Sequence, residues 1–298
     1  RQMCIRDRSA GTADITYTLL TGCATSVNVV VNPLPAVITG SLNVCNGQST
    51  ALASASAGGV WSSSNTAVAP INTAGVVSAL MPGNTVIEYT LPTGCVRDAV
   101  VSVNALPTVY HVTGGGNYCA GGAGVHIGVD TSTSGVNYQL YMGTTGAGLP
   151  VSGISGLPAD FGLITTAGTY TVVARNASTG CSSNMAGSAT VIVDPNVTPT
   201  ITLSSGAAGD VVCASTLTTF TGTGTNTGTT PGYQWKVNGS NVGTNSTTYT
   251  STTLAQGDVV TCVMTSNATC ATGSPATSNS ITMTINAIPT GTISGSAS

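Results

Sequence analysis

The sequence predicts an all-β chain of tandem antiparallel β-sandwiches, and three observations carry that prediction. Across 298 residues Thr, Val, Ser, Gly and Asn abound, whereas helix-favouring Leu, Glu, Lys, Gln and Arg are scarce. The chain repeats itself: apolar alternating runs recur along it and end in Asn32, Asn104, Asp194 and Asn286. Within each repeat, short runs of β-branched residues are punctuated by Gly, Asn and Pro at the roughly 8–12-residue spacing of a sandwich, and no window shows a helical apolar period.

Composition narrows the function classes. Charged residues make up 5% of the chain, against ~25% in an ordinary domain. There is one lysine, Lys236, and three of the five arginines fall in the first eight residues. A phosphate-binding surface needs clustered Lys and Arg, so nucleic acid is not an expected partner. Hydrophobic residues reach 41%, enough to build cores. No apolar run of ~18 residues is present, so membrane insertion is not expected. Residues 1–8 (RQMCIRDR) concentrate Arg and Asp in a chain that otherwise avoids both. They read as a non-native leader and are set aside together with Cys4. No charged, apolar and small-residue secretory start is visible. The chain therefore reads as an internal fragment of an exported protein, with the signal peptide outside it.

The repeats set the domain boundaries. Residues 11–32 (GTADITYTLLTGCATSVNVVVN) and 83–104 (GNTVIEYTLPTGCVRDAVVSVN) match position for position, with identities that include Ile15/Ile87, Tyr17/Tyr89, Gly22/Gly94 and Cys23/Cys95. The Thr-Gly-Cys turn recurs at Thr179-Gly180-Cys181 and, weakened, at Thr269-Cys270. Residues 9–32 read as the end of a truncated repeat, 33–104, 105–194 and 195–286 as complete sandwiches, and 287–298 as the first strand of another. Pro35, Pro107, Pro199 and Pro289 follow the repeat ends. Linkers that short imply a semi-rigid, rod-like array. In the first complete repeat, strands are expected at 36–39, 50–55, 59–63, 76–79, 85–91 and 96–103.

Nine cysteines are present, eight once Cys4 is set aside. One precedes the second strand of each complete repeat (Cys45, Cys119, Cys213) and another sits in its last hairpin (Cys95, Cys181, Cys270). These similar spacings, in register with the repeat, predict Cys45–Cys95, Cys119–Cys181 and Cys213–Cys270, one bridge inside each sandwich. Each would contribute ~4 kcal/mol in the chain-entropy account. Cys23 holds the hairpin position of the truncated repeat, with its partner outside the fragment. Cys262 lies in an apolar strand-like run and reads as a buried free thiol. No CxxC-type spacing supports a zinc site. Regular disulfides imply an oxidising compartment, extracellular or at the cell surface.

Trp61 and Tyr233-Gln234-Trp235 carry a family resemblance. The chain resembles immunoglobulin-like sandwiches, whose third core strand bears a buried Trp, and Tyr138-Gln139-Leu140 holds the same position with Leu in place of Trp. The resemblance implies core roles for Trp61, Leu140 and Trp235. It also implies a rival inter-sheet bridge, Cys213–Cys262. Residues 61–65 (WSSSN), Val68-Ala69, Gly75-Val76-Val77 and Gly83 resemble the bacterial Ig-like repeat of large surface proteins. Residues 254–262, with Gly257-Asp258, are similar to the turn into the sixth Ig strand. Taken together, residues 10–298 resemble tandem Ig-like and PKD-like modules of secreted or surface (adhesin-type) proteins in gliding, type IX-secreting bacteria. Such families imply spacer, stalk or adhesive roles, with no catalytic residues to carry over. The middle repeat lacks the Trp and the repeats differ in length, so a binding site common to all three is not expected.

Chemistry-bearing side chains are sparse. His111 and His126 lie on separate strands, with Asp130 as the only nearby carboxylate in sequence, and read as isolated histidines rather than metal ligands. The carboxylates are scattered, no nucleophile-base constellation is visible, and no catalytic residue, metal site or cofactor is expected. Tyr110, Tyr118, Tyr141 and Tyr249 read as exposed, and Tyr110 and Tyr141 are the candidate ligand-facing aromatics. Residues 219–230 (TFTGTGTNTGTT) alternate Thr, which reads as a solvated edge or loop because glycines interrupt it. The function these readings favour is a non-catalytic extracellular stalk, spacer or adhesive segment whose partners are neighbouring repeats and, beyond them, surface glycans or other surface proteins. Carbohydrate-binding accessory modules or a self-associating filament are the alternatives, the latter because nearly uncharged edge strands are poorly protected against pairing.

Overall fold

The repeat seen in the sequence is a repeat of strand register. Strands Gly11–Thr18 and Ala24–Asn32 form an antiparallel hairpin running from Gly11 opposite Val31 to Thr18 opposite Ala24. Gly83–Thr90 and Val96–Asn104 pair identically, from Gly83 opposite Val103 to Thr90 opposite Val96. The turns also match. The Leu19 and Leu91 N–H groups donate to the Cys23 and Cys95 carbonyls at 2.8 and 3.0 Å, and the Gly22 and Gly94 N–H groups donate to the Leu19 and Leu91 carbonyls. Gly22 and Gly94 hold φ of 85° and 79°, a left-handed conformation that glycine adopts without a Cβ penalty. This is why Thr-Gly-Cys recurs.

The computed structural model describes residues 10–291 and the backbone of Met3–Cys4. The protein is all-β, a series of predominantly antiparallel two-sheet sandwiches. Among the described residues the one helical element is the 3-10 turn Ala208–Asp210. The chain divides into two compact units. The first takes the described residues up to 114 with 126–162 and 169–189; the second takes 115–125, 163–168 and the described residues from 190 onward. The division runs through the middle repeat and not between repeats.

In the first unit, the first complete repeat sets a four-stranded sheet, ordered Asn43–Cys45, Val96–Asn104, Gly83–Thr90 and Val60–Ser63, against the pair Ser49–Ala51 and Val76–Ser78. The two-residue period of Gly83–Thr90 turns Thr85, Ile87 and Tyr89 inward. Ile87 and Tyr89 join Ile38, Val44, Leu52, Val77, Val101 and Val103 in the core. Each such side chain contributes about 1.5–3 kcal/mol by burial. The Tyr89 hydroxyl donates to the Ser56 carbonyl at 2.7 Å and accepts the Gly59 N–H at 2.9 Å. At Gly75 (φ 81°) a Cβ would lie 2.3 Å from the Leu52 carbonyl oxygen, so no larger residue fits. The strand expected at 36–39 does not form. Only an isolated bridge joins Thr39 to Ala53, and at Ala36 the Ser56 hydroxyl accepts the N–H and the Ser54 hydroxyl donates to the carbonyl, so side chains take the place of a ladder partner.

The first unit also holds part of the middle repeat. Val136–Met142 lies between Thr145–Ser152 and Gly168–Asn176, which in turn pairs Ser182–Asn184. Tyr138, Leu140, Tyr170 and Val172 are fully or almost fully buried there. A second sheet orders Val112–Gly114, Val125–Val129 and Ala159–Ile164.

In the second unit, the third repeat pairs Thr200–Ser205, Thr218–Thr225 and Thr248–Ser251 in one sheet. Its other sheet orders Ser240–Val242, Gly232–Val237, Val259–Thr265 and Ala276–Thr277, with Ile281–Thr282 also on Val259–Thr265. Trp235, Phe220, Cys262, Met264 and Met283 are fully buried and form its centre with Ile201, Leu203, Val260 and Ile281. The Trp235 indole N–H donates to the Ser246 carbonyl at 2.8 Å, so the ring is buried without an unpaired donor.

A short parallel strand recurs in every repeat. Asn43–Cys45 runs parallel to Val96–Asn104, with Cys45 opposite Asn104. Gly116–Cys119 runs parallel to Ala189–Asp194, with Cys119 opposite Asp194. Val211–Cys213 runs parallel to Thr284–Asn286, with Cys213 opposite Asn286. Each ends in the same hydrogen bond, from the N–H of Asn46, Ala120 or Ala214 to the carbonyl of Asn104, Asp194 or Asn286, all at 2.9 Å. The leader set aside on composition takes part as well: Met3–Cys4 runs parallel to Ala24–Asn32, with Cys4 opposite Asn32.

Candidate functional site

The chemistry of the chain concentrates where one repeat meets the next. A first cysteine stands opposite the last residue of its repeat's final strand, at the end from which the chain leaves. A hairpin cysteine stands at the other end of the sandwich. Between Cys95 and Asn104 lies the nine-residue strand Val96–Asn104, a span of roughly 30 Å at strand rise. A disulfide tolerates only about 7 Å between Cα atoms. Cys45 and Cys95 therefore cannot join, although their spacing in sequence suggests it.

The bridges run from each repeat to the following one. Cys45 is bonded to Cys181, with Cα atoms 5.6 Å apart and a sequence separation of 136. Cys119 is bonded to Cys270, at 5.3 Å and a separation of 151. The expected pairs Cys45–Cys95, Cys119–Cys181 and Cys213–Cys270 are thus replaced. Cys95 is disulfide-bonded too, and its Sγ lies 4.0 Å from the carbonyl of Asn32, the last residue of the preceding repeat. Beside Cys270, the Val197 N–H donates to the Cys270 carbonyl and the Thr272 N–H to the Val197 carbonyl. Asn196 Nδ2 donates to the Ala120 carbonyl at 3.0 Å. The Cys45–Cys181 and Cys119–Cys270 bridges interlace, since Cys119 falls inside the loop that the first of them closes.

Among the described residues three cysteines are free: Cys23 and Cys213 are exposed and Cys262 is buried. Cys213, expected in a bridge, has none, and the rival Cys213–Cys262 pairing does not form either. Cys262 faces the core opposite Trp235 in register, whereas Cys213 sits on the outer parallel strand. Burial pushes the Cys262 thiol up from the ordinary 9.0 to about 11, partly offset by a backbone hydrogen bond at Gln234. Such a thiol is inert at neutral pH.

The other candidate residues are dispersed. Trp235 and Leu140 are fully buried. Trp61 is half-buried against the first core, its ring 4.6 Å from that of Tyr89. The Tyr110 hydroxyl is engaged with Thr133 at 2.8 Å. Tyr118 is likewise engaged, through its hydroxyl, with the Thr165 carbonyl. Tyr249 stacks between Phe220 and Trp235 in the third core and is no exposed platform. Tyr141 lines a shallow groove of about 350 Å³ with Asn137, Gln139 and Arg175.

His111 Nδ1 lies 3.6 Å from Asp130, and His126 Nδ1 lies 2.8 Å from Asp160. The second carboxylate comes from the neighbouring strand and is distant in sequence. Both pairs are exposed and contribute little. Among the described residues no group of three His, Cys, Asp or Glu converges on a metal-sized site. The alternating threonines divide: Thr218–Thr225 is the central strand of its sheet and no edge, whereas residues 226–230 follow it as a loop. Thr219, Thr221, Thr223 and Thr225 line its outer face while Phe220 points inward.

No family model matches the chain, and no curated protein matches it. Similar solved structures include the full ectodomain (Ig1–Ig3) of mouse nectin-like molecule 4, 14% identical, covering 85% of this chain and 99% of that one, with a TM-score of 0.36. Titin domains A168–A170 are 10% identical over 93% of this chain and 100% of theirs, with a TM-score of 0.33. The N-terminal four Ig domains of Dscam1 isoform 6.9 are 13% identical over 88% of this chain and 76% of theirs, with a TM-score of 0.25.

Two outcomes follow from this geometry. Non-reducing peptide mapping is expected to recover Cys45 linked to Cys181 and Cys119 linked to Cys270. Recovery of Cys45 linked to Cys95 would contradict the register of the parallel strands. The raised thiol pKa gives a sign for stability against pH. The folded state retains the Cys262 proton longer than the unfolded chain, so this contribution is complete below the unfolded value of 9.0 and declines as pH rises through about 11. Urea unfolding from pH 8 to 11 is expected to show that decline in the native chain and to lack that component in Cys262→Ala.

Proposed function

We propose that the chain is a non-catalytic structural segment of an extracellular or surface-exposed protein, a stalk or spacer whose successive sandwiches are covalently joined in series. The observation that supports this reading is the direction of the bridges. A bridge inside a sandwich stabilises that sandwich alone. A bridge from one repeat to the next restrains the junction and shortens the covalent path along the array. Between Cys45 and Cys270 the backbone runs through the whole intervening chain. With both bridges closed, the covalent path needs only the segment from Cys119 to Cys181. Bridges of this kind form in an oxidising compartment, outside the cytosol. A low charge and a hydroxyl-rich surface suit a spacer that contacts little.

Pulling the oxidised chain by its ends tests the reading. Reduction is expected to release roughly 500 Å or more of additional extension, at about 3.5 Å per freed residue. An oxidised chain that unravels to full contour length at the force that unravels the reduced one would remove the proposal.

A second reading rests on the groove beside Tyr141. Asn137, Gln139 and Tyr141 alternate along Val136–Met142 and face Arg175 and Ser182 across it, a polar surface with one aromatic that suits a sugar. Retention of a glycan by the native chain and its loss in Tyr141→Ala would support carbohydrate recognition. A native chain that binds no glycan would dismiss it.

A further inference from the structure

Cys213 and Cys23 occupy the two kinds of register position that the bridges of this chain join, and both are free. Cys213 ends Val211–Cys213, stands opposite Asn286, and is followed by the Ala214 N–H bonded to the Asn286 carbonyl. That is the backbone setting of Cys45 opposite Asn104 and of Cys119 opposite Asp194, and both of those cysteines are bonded to the hairpin cysteine of the following repeat. Cys23 is the complementary half. Its carbonyl accepts the Leu19 N–H just as the Cys95 carbonyl accepts that of Leu91 and the Cys181 carbonyl that of Asn176. Cys95 and Cys181 are bonded and almost fully buried, whereas Cys23 and Cys213 are free and exposed. Neither is a solitary thiol, because each occupies a register position at which its counterparts in this chain are already joined.

We propose that the face around Cys213 and the end of Thr284–Asn286 is an interaction surface for the Thr-Gly-Cys hairpin of another sandwich of this design. Cys213 forms a disulfide with that hairpin's cysteine, and a second copy of this chain supplies such a hairpin at Cys23. The proposal rests on the serial reading above and names its partner. The oxidant is a small-molecule disulfide such as oxidised glutathione. One protein thiolate attacks a glutathione sulfur and expels one glutathione thiolate, and the second protein thiolate then displaces the other glutathione. One S–S bond is exchanged for another. Two protein thiols lose their protons and two electrons to the glutathione disulfide, which leaves as two thiols.

Two single variants test the pairing, and both change exposed free thiols while leaving the existing bridges in place. The native chain, incubated in a glutathione redox buffer and run without reductant, is expected to give a ladder of dimers and higher species. Cys23→Ser alone and Cys213→Ser alone are each expected to lose every species above monomer. Their mixture is expected to give a heterodimer and nothing larger, with Cys23 and Cys213 peptides linked on digestion. Dimers formed by either variant alone as readily as by the mixture would overturn the proposal, because they would show thiols reacting without selection by register. A native chain that stays monomeric with glutathione on both cysteines would overturn it equally. Mapping of Cys45–Cys181 and Cys119–Cys270 in each variant confirms that the fold is retained. The pulling experiment involves neither Cys23 nor Cys213, so failure here leaves the spacer reading standing and failure there is separately visible.

Discussion

A short parallel strand governs the covalent design of this protein. In each complete repeat it ends with a cysteine opposite the last residue of the repeat's final strand. That fixes the cysteine at the end of the sandwich from which the chain exits. The hairpin cysteine precedes the final strand and therefore lies at the end where the chain enters. The length of a strand separates the two, far beyond the reach of a disulfide. Each sandwich thus presents two half-bonds pointing in opposite directions, and only a neighbour can complete either of them.

The loops closed in this way are long, with sequence separations of 136 and 151, and in the chain-entropy account each removes about 5 kcal/mol of freedom from the unfolded ensemble. Each bridge also stays within one of the two compact units. Cys45 and Cys181 lie inside one unit, and Cys119 and Cys270 inside the other.

The side chains follow a plainer logic. With few charges available, the sandwiches are built from β-branched residues whose methyl groups fill the cores and whose hydroxyls meet water. The strand Thr218–Thr225 shows both on alternate residues: Phe220 is fully buried while Thr219, Thr221 and Thr223 are outward-facing. Glycines at 222 and 224 argue, in sequence, for a loop. In the folded chain they lie on the inner side of a central strand, where Gly222 leaves room for Ile201 and Leu203 and Gly224 for the Met264 sulfur.

Much of this was legible in the sequence because it is local. The recurrence of the hairpin at Cys23 and Cys95, the two-residue alternation around Ile87 and Tyr89 and the glycine of each Thr-Gly-Cys turn state the strand class, the hairpin register and the core face directly, since all three depend on neighbours a few residues away. The partner of each cysteine was not legible. Spacing in sequence ranks Cys95 nearest to Cys45, but covalent bonding depends on which end of a sandwich each occupies, and that depends on a parallel strand too short to leave a periodic signal. Asp160 beside His126 and the inner position of Thr218–Thr225 were hidden for the same reason, since strand neighbours are chosen by the assembled sheet. Residue pattern is enough to specify repeated sandwiches carrying paired cysteines; that the pairs join successive repeats follows from the assembled sheets, because direction along a sandwich exists only once its strands are laid side by side.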